Sequence, residues 1–354
     1  MIVQFDVNTI WRRKFGEALR RHFPDTLLIA PRTFGAKGDR CEGGAVTVSL
    51  PPGWASKSAA IAMPILRFRA QAQAARRGGQ IDTAIFTSFH YLPIARRLHR
   101  RARILYYCSD DYRSYAGWSG AGAVEREAEL CRLSSLSIFV SEALRDRAVI
   151  EYGLDPDTCI VSPNASEARF SQASSKPAEL AELEGPVFGV VGVFNERIDY
   201  GFLERLAAST ETGSLALVGP LLHGADGDGA IDRLRANPKV HWFGARPHEE
   251  IHAWMAGIDI AVIPYARGDF NHFCSPMRLW DHLAIGQPIL ATDACGQITR
   301  QPGVIVVPSG GDLDRAIRSA KTLAAKGRCP HLESWDDRAA QLAPLIDRGN
   351  SRGC

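Results

Sequence analysis

A chain of 354 residues is long enough for two domains of ordinary size. With 45% hydrophobic and 23% charged residues its composition is globular, which excludes disorder, collagen and coiled coil as the main class. The net charge is only +3, and no uncharged apolar run reaches the ~18 residues that a membrane-spanning helix needs. The N-terminus places Asp6 in its only apolar stretch and Arg12, Arg13 and Lys14 after it. A secretory signal carries its positive charge first, so a cytoplasmic protein is expected. The eight cysteines include no C-x-x-C pair, so they are expected to be reduced and structural.

The small net charge conceals an asymmetry. Residues 1–150 hold 23 Lys/Arg against 13 Asp/Glu, whereas the rest of the chain holds 19 against 26. Between 51 and 103 there are ten basic residues and one acid, Asp82. The first half therefore faces something anionic.

In chain order, short apolar strands are predicted at 2–5, 26–30, 45–50, 83–87, 103–108, 136–140 and 159–161. Helical patterns at 9–22, 61–77 and 124–133 lie between them. This alternation calls for a parallel sheet covered by helices. In the 61–77 helix the spacing predicts a core face of Ile61, Ile65, Phe68 and Ala72, with Arg69, Gln73 and Arg76 on another. Arg96, Arg97, Arg100, Arg101 and Arg103 follow. Together they suggest a basic surface for an anionic membrane, or simply a solvated face. Nucleic acid is not expected, because the basic stretch lacks interleaved aromatics. His90 follows the fourth strand, and Asp110-Asp111 follow the fifth. In doubly wound sheets ligands bind at such strand ends, although an Asx-turn or helix cap would use the same aspartates.

Residues 165–185 turn to Ser, Ala, Glu and Pro and read as a linker. The rhythm then restarts, with strands at 187–191, 215–218, 240–243, 260–264, 289–291 and 304–307. Helices at 200–208, 231–237, 249–255, 276–284 and 313–325 separate them. Within 272–288, Ser275 suits an N-cap and Pro276 a first helical position. The amides of Met277 and Arg278 then lie unpaired at the positive end of a helix dipole, a site for a diphosphate. Arg278 and Asp281, three apart, share a face. The arginine can hold a phosphate or carboxylate and the aspartate can accept from a ribose diol, or the two form a surface ion pair.

Segment 272–288 resembles the S-P-x-K-x-x-E-Y-x-A-x-G-x-P-V signature of GT-B glycosyltransferases from bacterial exopolysaccharide and cell-wall assembly. Residues 189–199, with Gly192, Asn195 and Arg197, are similar to the glycine-containing first turn of the donor domain. Residues 215–220 are similar to its second strand. Residues 240–247 and 258–265, ending on Tyr265, are similar to the N-V-x-x-x-G-x-x-P and D-x-x-x-x-P-Y blocks. Residues 104–112 are similar to the Y-D-x-x-D-D-W/Y element of the same families. The resemblance is good over 187–292 and loose over the first half. Arg278 replaces the family lysine, Asp281 the glutamate and His282 the tyrosine, and Phe273 stands where many retaining members carry a second glutamate. Met277-Arg278 is also similar to a Met-Lys pair in the glucuronosyltransferase of xanthan assembly, which places Arg278 near a uronate carboxylate.

The resemblance implies an α/β fold of the GT-B type, two Rossmann-like doubly wound domains with an interdomain cleft. Residues 1–165 would bind the acceptor and 187–330 the nucleotide-sugar donor, with a linker at 166–186 and a C-terminal helix and tail at 331–354. The implied activity moves a hexosyl or uronosyl group from a nucleoside-diphosphate donor, UDP-linked, to a saccharide or lipid-linked acceptor. Donor contacts fall to Gly192, Asn195, Arg197, Tyr265, Ser275, Pro276, Met277, Arg278 and Asp281. Asp110 or Asp111 is the expected base, with His90 a lesser candidate. No cofactor and no metal is expected, since arginines and helix amides neutralise the diphosphate and Asp155-Pro156-Asp157 is a loop before a strand. The expected location is the cytoplasm or the inner face of the plasma membrane. A GT-B epimerase and an inactive nucleotide-sugar-binding scaffold stay open. A dehydrogenase does not fit, because no G-x-G-x-x-G follows a strand.

Overall fold

The computed structural model describes residues 1–35, 44–115, 118, 122–172, 174–222 and 228–347, so Cys41 and Cys354 lie outside the described residues. The chain divides into two compact units, Met1–Asn164 with everything from Trp335 onward, and Ala165–Ser334.

Among the described residues the first unit holds seven strands: β1 (Ile2–Phe5), β2 (Leu27–Thr33), β3 (Val46–Leu50), β4 (Thr83–Phe86), β5 (Arg103–Cys108), β6 (Leu136–Phe139) and β7 (Cys159–Val161). All pair in parallel, in the order β3-β2-β1-β4-β5-β6-β7. The central strands β1 and β4 are buried along their whole length, the polar Gln4 and Thr83 included, and Val3, Phe5, Leu28, Ile29, Ile85 and Leu105 are fully buried. That is the signature of a parallel sheet covered on both faces. β2 runs three residues beyond its predicted end because Pro31, Arg32 and Thr33 pair with Val48, Ser49 and Leu50. Strand order reverses between β1 and β4, so the crevice at their carboxyl ends is where a ligand is sought.

The second unit repeats the plan with six strands among its described residues: β8 (Val187–Val191), β9 (Ser214–Val218), β10 (Val240–Gly244), β11 (Ile260–Ile263), β12 (Ile289–Thr292) and β13 (Val304–Val307). Their order is β10-β9-β8-β11-β12-β13, again all parallel, with the reversal between β8 and β11. The Ser/Ala/Glu/Pro stretch before β8 is not bare chain, since Phe170 and Leu180 are buried in the core of this unit. The C-terminal helix Trp335–Asp347 belongs to the first unit and packs on the helix Ile10–His22. Arg21 pairs there with Asp336, and the Arg103 guanidinium donates to the carbonyls of Leu345 and Ile346.

The helix Ala59–Arg76 corrects the expected face. Ala62, Met63, Leu66, Ala70 and Ala74 are buried, whereas Ile61 and Phe68 are each 66% exposed and Ile65 is 37% exposed. Small side chains let this helix lie close on the sheet. The helix is apolar on two opposite faces, so periodicity alone selects the wrong one.

Candidate functional site

In the first unit, the turns after β1, β4 and β5 surround a pocket of about 250 Å³ at the strand-order reversal. Asp6 leaves β1 in the left-handed region, with φ +68°, a strained conformation for a residue with a side chain. Its carboxylate accepts from Arg12 Nη1 at 2.6 Å, and both side chains are buried. Arg12 also donates to Ser109 Oγ at 3.1 Å and to the Tyr112 hydroxyl at 2.7 Å. Tyr112 in turn donates to the Thr87 carbonyl. This network is the floor of the pocket. Its walls are aromatic: Trp11, Trp54, Tyr112, Tyr115 and Trp118. Trp118 stacks on Tyr112 at 5.3 Å between centroids and meets His90 edge-on at 4.3 Å. Trp11 Nε1 and Thr9 Oγ1 are buried with no hydrogen-bond partner.

The two adjacent aspartates have separate tasks. Asp110 lines the pocket, half-buried, and accepts from the Tyr115 hydroxyl at 2.6 Å and from the Asp111 amide at 2.9 Å. Asp111 is buried and turned away into a cap on the 112–114 turn. It accepts from the Arg113 amide and the Ser114 hydroxyl, and pairs with Arg147 at 2.6 Å. Asp111→Ala removes this ion pair and cap together. A loss of about 3 kcal/mol is expected, read as a lower urea midpoint with nucleotide affinity unchanged. His90 lies at the pocket rim with Nδ1 3.3 Å from Ser88 Oγ. Burial and the charge of Arg126 lower it to about 4, so it is neutral at pH 7.

In the second unit, glycines end the three neighbouring strands β8, β9 and β10. Gly192 (φ +139°) and Gly219 (φ +142°) admit no side chain: a Cβ on Gly219 would lie 1.9 Å from the Gly192 carbonyl oxygen. A Cβ on Gly192 would lie 2.3 Å from Nη2 of Arg278, so the bare backbone is what lets that guanidinium rest there. The loop after β8 then runs antiparallel to the segment after β11, with Ile198 bridged to Tyr265 and the Ala266 amide donating to the Arg197 carbonyl at 2.9 Å. Asn195 shapes this loop by accepting from the Arg197 amide at 3.1 Å.

The Arg197 and Arg278 guanidiniums lie 5.2 and 5.4 Å from the Tyr265 ring centre. Arg197 Nε donates to Asn271 Oδ1 at 2.9 Å, and Asn271 Nδ2 returns to the carbonyls of Arg197 and Ala266. Neither arginine makes an ion pair among the described residues, and Arg278 Nη1 is buried without a hydrogen-bond partner. The helix Met277–Ile285 starts beside them, one residue later than expected. Pro276 is its cap residue, and the Leu279 amide donates to the Pro276 carbonyl at 3.1 Å. Ser275 does not cap it, because its hydroxyl accepts from Trp280 Nε1 and donates to Gln297 Oε1, both at 3.2 Å. The Met277 and Arg278 amides at the first two helical positions have no acceptor within the helix.

Arg278 and Asp281 do not pair. The Asp281 carboxylate accepts from the Ser166 hydroxyl at 2.6 Å. Burial lifts its carboxyl to about 7; the Ser166 hydrogen bond opposes this and Glu167 adds to it. An unfolded aspartate titrates near ~3.9, so the native state keeps a proton that the unfolded chain releases between about pH 4 and 7. The stability from this group is full at low pH and lost as pH rises through 7. Between pH 5 and 8 the wild type should lose about 2 kcal/mol more than Asp281→Asn, measured by urea unfolding at each pH. His282 is fully buried, donates from Nδ1 to Gln287 Oε1 at 2.8 Å, and is lowered to about 4 by burial, so it serves the core. Cys274 and Cys295 lie with their sulfurs 3.9 Å apart and unbonded. Among the described residues no group of three or more His, Cys, Asp or Glu side chains could hold a metal.

No protein-family profile matches the chain. A stretch of 110 residues is 29% identical to TuaH of Bacillus subtilis (strain 168), whose name assigns it to teichuronic acid biosynthesis as a glycosyltransferase. That stretch is 31% of this chain and spans only 27% of the relative's length. Solved structures match over nearly the whole length. HepE of Anabaena in complex with UDP is 16% identical with a TM-score of 0.65, covering 99% of this chain and 98% of that one. The catalytic domain of starch synthase IV from Arabidopsis thaliana, bound to ADP and acarbose, is 13% identical with a TM-score of 0.69 and 99% coverage of both. The chain has the fold of the GT-B glycosyltransferases.

Within this fold, the sequence-predicted residues fall into two groups. Gly192, Arg197, Tyr265, Met277 and Arg278 converge at the reversal between β8 and β11. Asn195, Ser275 and Pro276 shape the backbone around them, and Asp281 turns to Ser166. In the first unit Asp110 and His90 line one pocket and Asp111 does not. Sequence reasoning missed Asn271, Asp6, Arg12 and the aromatic walls. Asp6 directly follows β1, so the strand-end rule that selected Asp110 applies to it equally.

Proposed function

We propose that the protein is a glycosyltransferase that moves a hexosyl or uronosyl group from a UDP-linked donor to a saccharide or lipid-linked acceptor in surface-polysaccharide assembly. The observation that carries this reading is the gathering of Arg197 and Arg278 on Tyr265, without carboxylate partners among the described residues, at the open amides of a helix start. Two guanidiniums and two amides match a diphosphate in charge and geometry. The UDP held by HepE supports the choice of nucleotide.

In the reaction, an acceptor oxygen forms a bond to the anomeric carbon of the donor. The bond from that carbon to the diphosphate oxygen breaks, and its electron pair leaves with the diphosphate. Arg197, Arg278 and the Met277 and Arg278 amides stabilise the charge that develops there, which is typically the largest catalytic term. These groups supply the positive charge, so a divalent metal is not needed in this scheme. The acceptor proton goes to Asp110, whose orientation is fixed by Tyr115. Aromatic walls and the open donors and acceptors of Trp11 and Thr9 suit the apolar faces and hydroxyls of a sugar ring.

A thermal-shift panel of UDP, GDP, ADP and their common sugars tests this, each with and without EDTA. UDP at a hundred times its dissociation constant should stabilise the protein by about 2.7 kcal/mol, with or without the chelator. No shift with any nucleotide overturns the reading, and a shift abolished by EDTA overturns its metal-free form.

A further inference from the structure

Among the described residues, three of the exposed large apolar side chains, Ile61, Ile65 and Phe68, lie on the outer face of the helix Ala59–Arg76, which the proposed reaction leaves unused. At about 100° per residue, Ile61, Ile65, Phe68 and Ala72 fall within roughly 60° of arc. Ile61 and Phe68 are each 66% exposed and Ile65 37%. Pro64 and Ala75 extend the same face and are exposed. Single exposed apolar side chains are ordinary, but an aligned strip of this kind marks a contact surface. The opposite face, Ala62, Met63, Leu66, Ala70 and Ala74, is already buried against the unit.

Basic side chains border the strip on both sides. Arg69 and Arg76 follow one edge and Arg67 the other. The helix Leu92–Leu98, which packs against this one, adds exposed Arg97, and Arg100 and Arg101 follow in the turn after it. Arg96 and Arg103 do not contribute, since Arg96 is held by Glu129 and Arg103 by the C-terminal helix. The single acid between 51 and 103, Asp82, is paired with the Met1 amine. A second copy of this face would bring arginines against arginines with no acid between them, so self-association is disfavoured. An apolar strip edged by arginines fits a surface that is apolar inside and anionic at its boundary.

We propose that the helix Ala59–Arg76 docks the protein on an anionic lipid bilayer, with Ile61, Ile65 and Phe68 entering the interface and Arg67, Arg69 and Arg76 meeting phosphate headgroups. The helix lies in the plane of the surface, as interfacial helices do, and does not span it. No helix among the described residues is long and apolar enough to cross a membrane. This inference is independent of the glycosyltransferase reading, because it needs neither donor nor catalysis.

Flotation of the full chain with phosphatidylcholine–phosphatidylglycerol vesicles, and with pure phosphatidylcholine vesicles, tests it. Binding should be confined to the anionic vesicles and should weaken with salt. Ile61→Ser with Phe68→Ser should lower the partition by about tenfold or more, with an unchanged melting temperature because both side chains are exposed. Arg69→Gln with Arg76→Gln should lower it by about fivefold for each arginine. Absence of binding to anionic vesicles, or binding unaffected by the apolar pair, overturns the proposal. A sedimentation shift from dimer to monomer in I61S/F68S, with vesicle binding unchanged, assigns the face to a second copy instead.

Discussion

Asp110→Asn should reduce sugar transfer by at least a hundredfold while leaving nucleotide-sugar affinity within a few-fold. A positioned general base contributes about 10²–10⁴ to the rate. Asparagine keeps the size and the acceptor that holds the Tyr115 hydroxyl at 2.6 Å, so the pocket should keep its shape. The comparison that gives the result meaning is with its neighbours. Asp111 is committed to Arg147, Ser114 and the Arg113 amide, so its loss should appear in stability. His90 is depressed to about 4 by burial and Arg126, which leaves it a weak base at neutral pH. His90→Gln should therefore cost far less than Asp110→Asn, and the pH–rate profile should show no limb near the ~6.5 of a free histidine. Full turnover by Asp110→Asn in a steady-state assay of nucleoside diphosphate release would remove Asp110 as the base.

Arg278→Ala should weaken UDP binding by about ten- to a hundredfold, since charge-assisted hydrogen bonds contribute about 1.5–3 kcal/mol each. Gly192→Ala should act through the same group. Its Cβ would lie 2.3 Å from Nη2 and 2.9 Å from Cζ of Arg278, and the guanidinium is the part that can move. It would leave Tyr265 and the helix start, so affinity should fall although no ligand contact is deleted. In affinity the two changes should not add, because once Arg278 is alanine the methyl group at 192 has no guanidinium to displace; the strain of an alanine at φ +139° remains and should appear as lost stability. Arg318→Ala, on an exposed weak pair with Glu211, is the control for general loss of positive charge. Titration calorimetry of the single and double variants reads all of this. Additive losses at 192 and 278 would show that Gly192 acts on the ligand by another route.

Many of the strands were legible because parallel strands buried on both faces are written as nearly continuous apolar runs, such as Val187–Val191 and Ile260–Ile263. The donor-side residues were legible because their chemistry is local: a glycine where a strand ends, an arginine at the second position of a helix. Three features were not. The Ser275 hydroxyl looked free to cap the helix, but Trp280, five residues on, claims it along with Gln297. The helix Ala59–Arg76 carries apolar residues on both faces, and only the sheet beneath decides that alanines turn inward and Ile61 and Phe68 outward. Arg12 sits in the run Arg12-Arg13-Lys14, which reads as a solvated patch. Its burial follows from Asp6, Ser109 and Tyr112, two of which are about a hundred residues away. Each miss depends on side-chain and packing partners that no spacing rule records.

Amide hydrogen exchange of the full chain with and without UDP tests the nucleotide-sugar site as a whole. Protection should concentrate in 192–199 and 264–281, the loop after β8 and the segment around Tyr265 through the start of the helix Met277–Ile285. Arg278→Ala should diminish that protection at equal UDP concentration. Protection at other segments, or none at saturating UDP, would contradict the assignment of Arg197, Tyr265 and Arg278 as the nucleotide-sugar site.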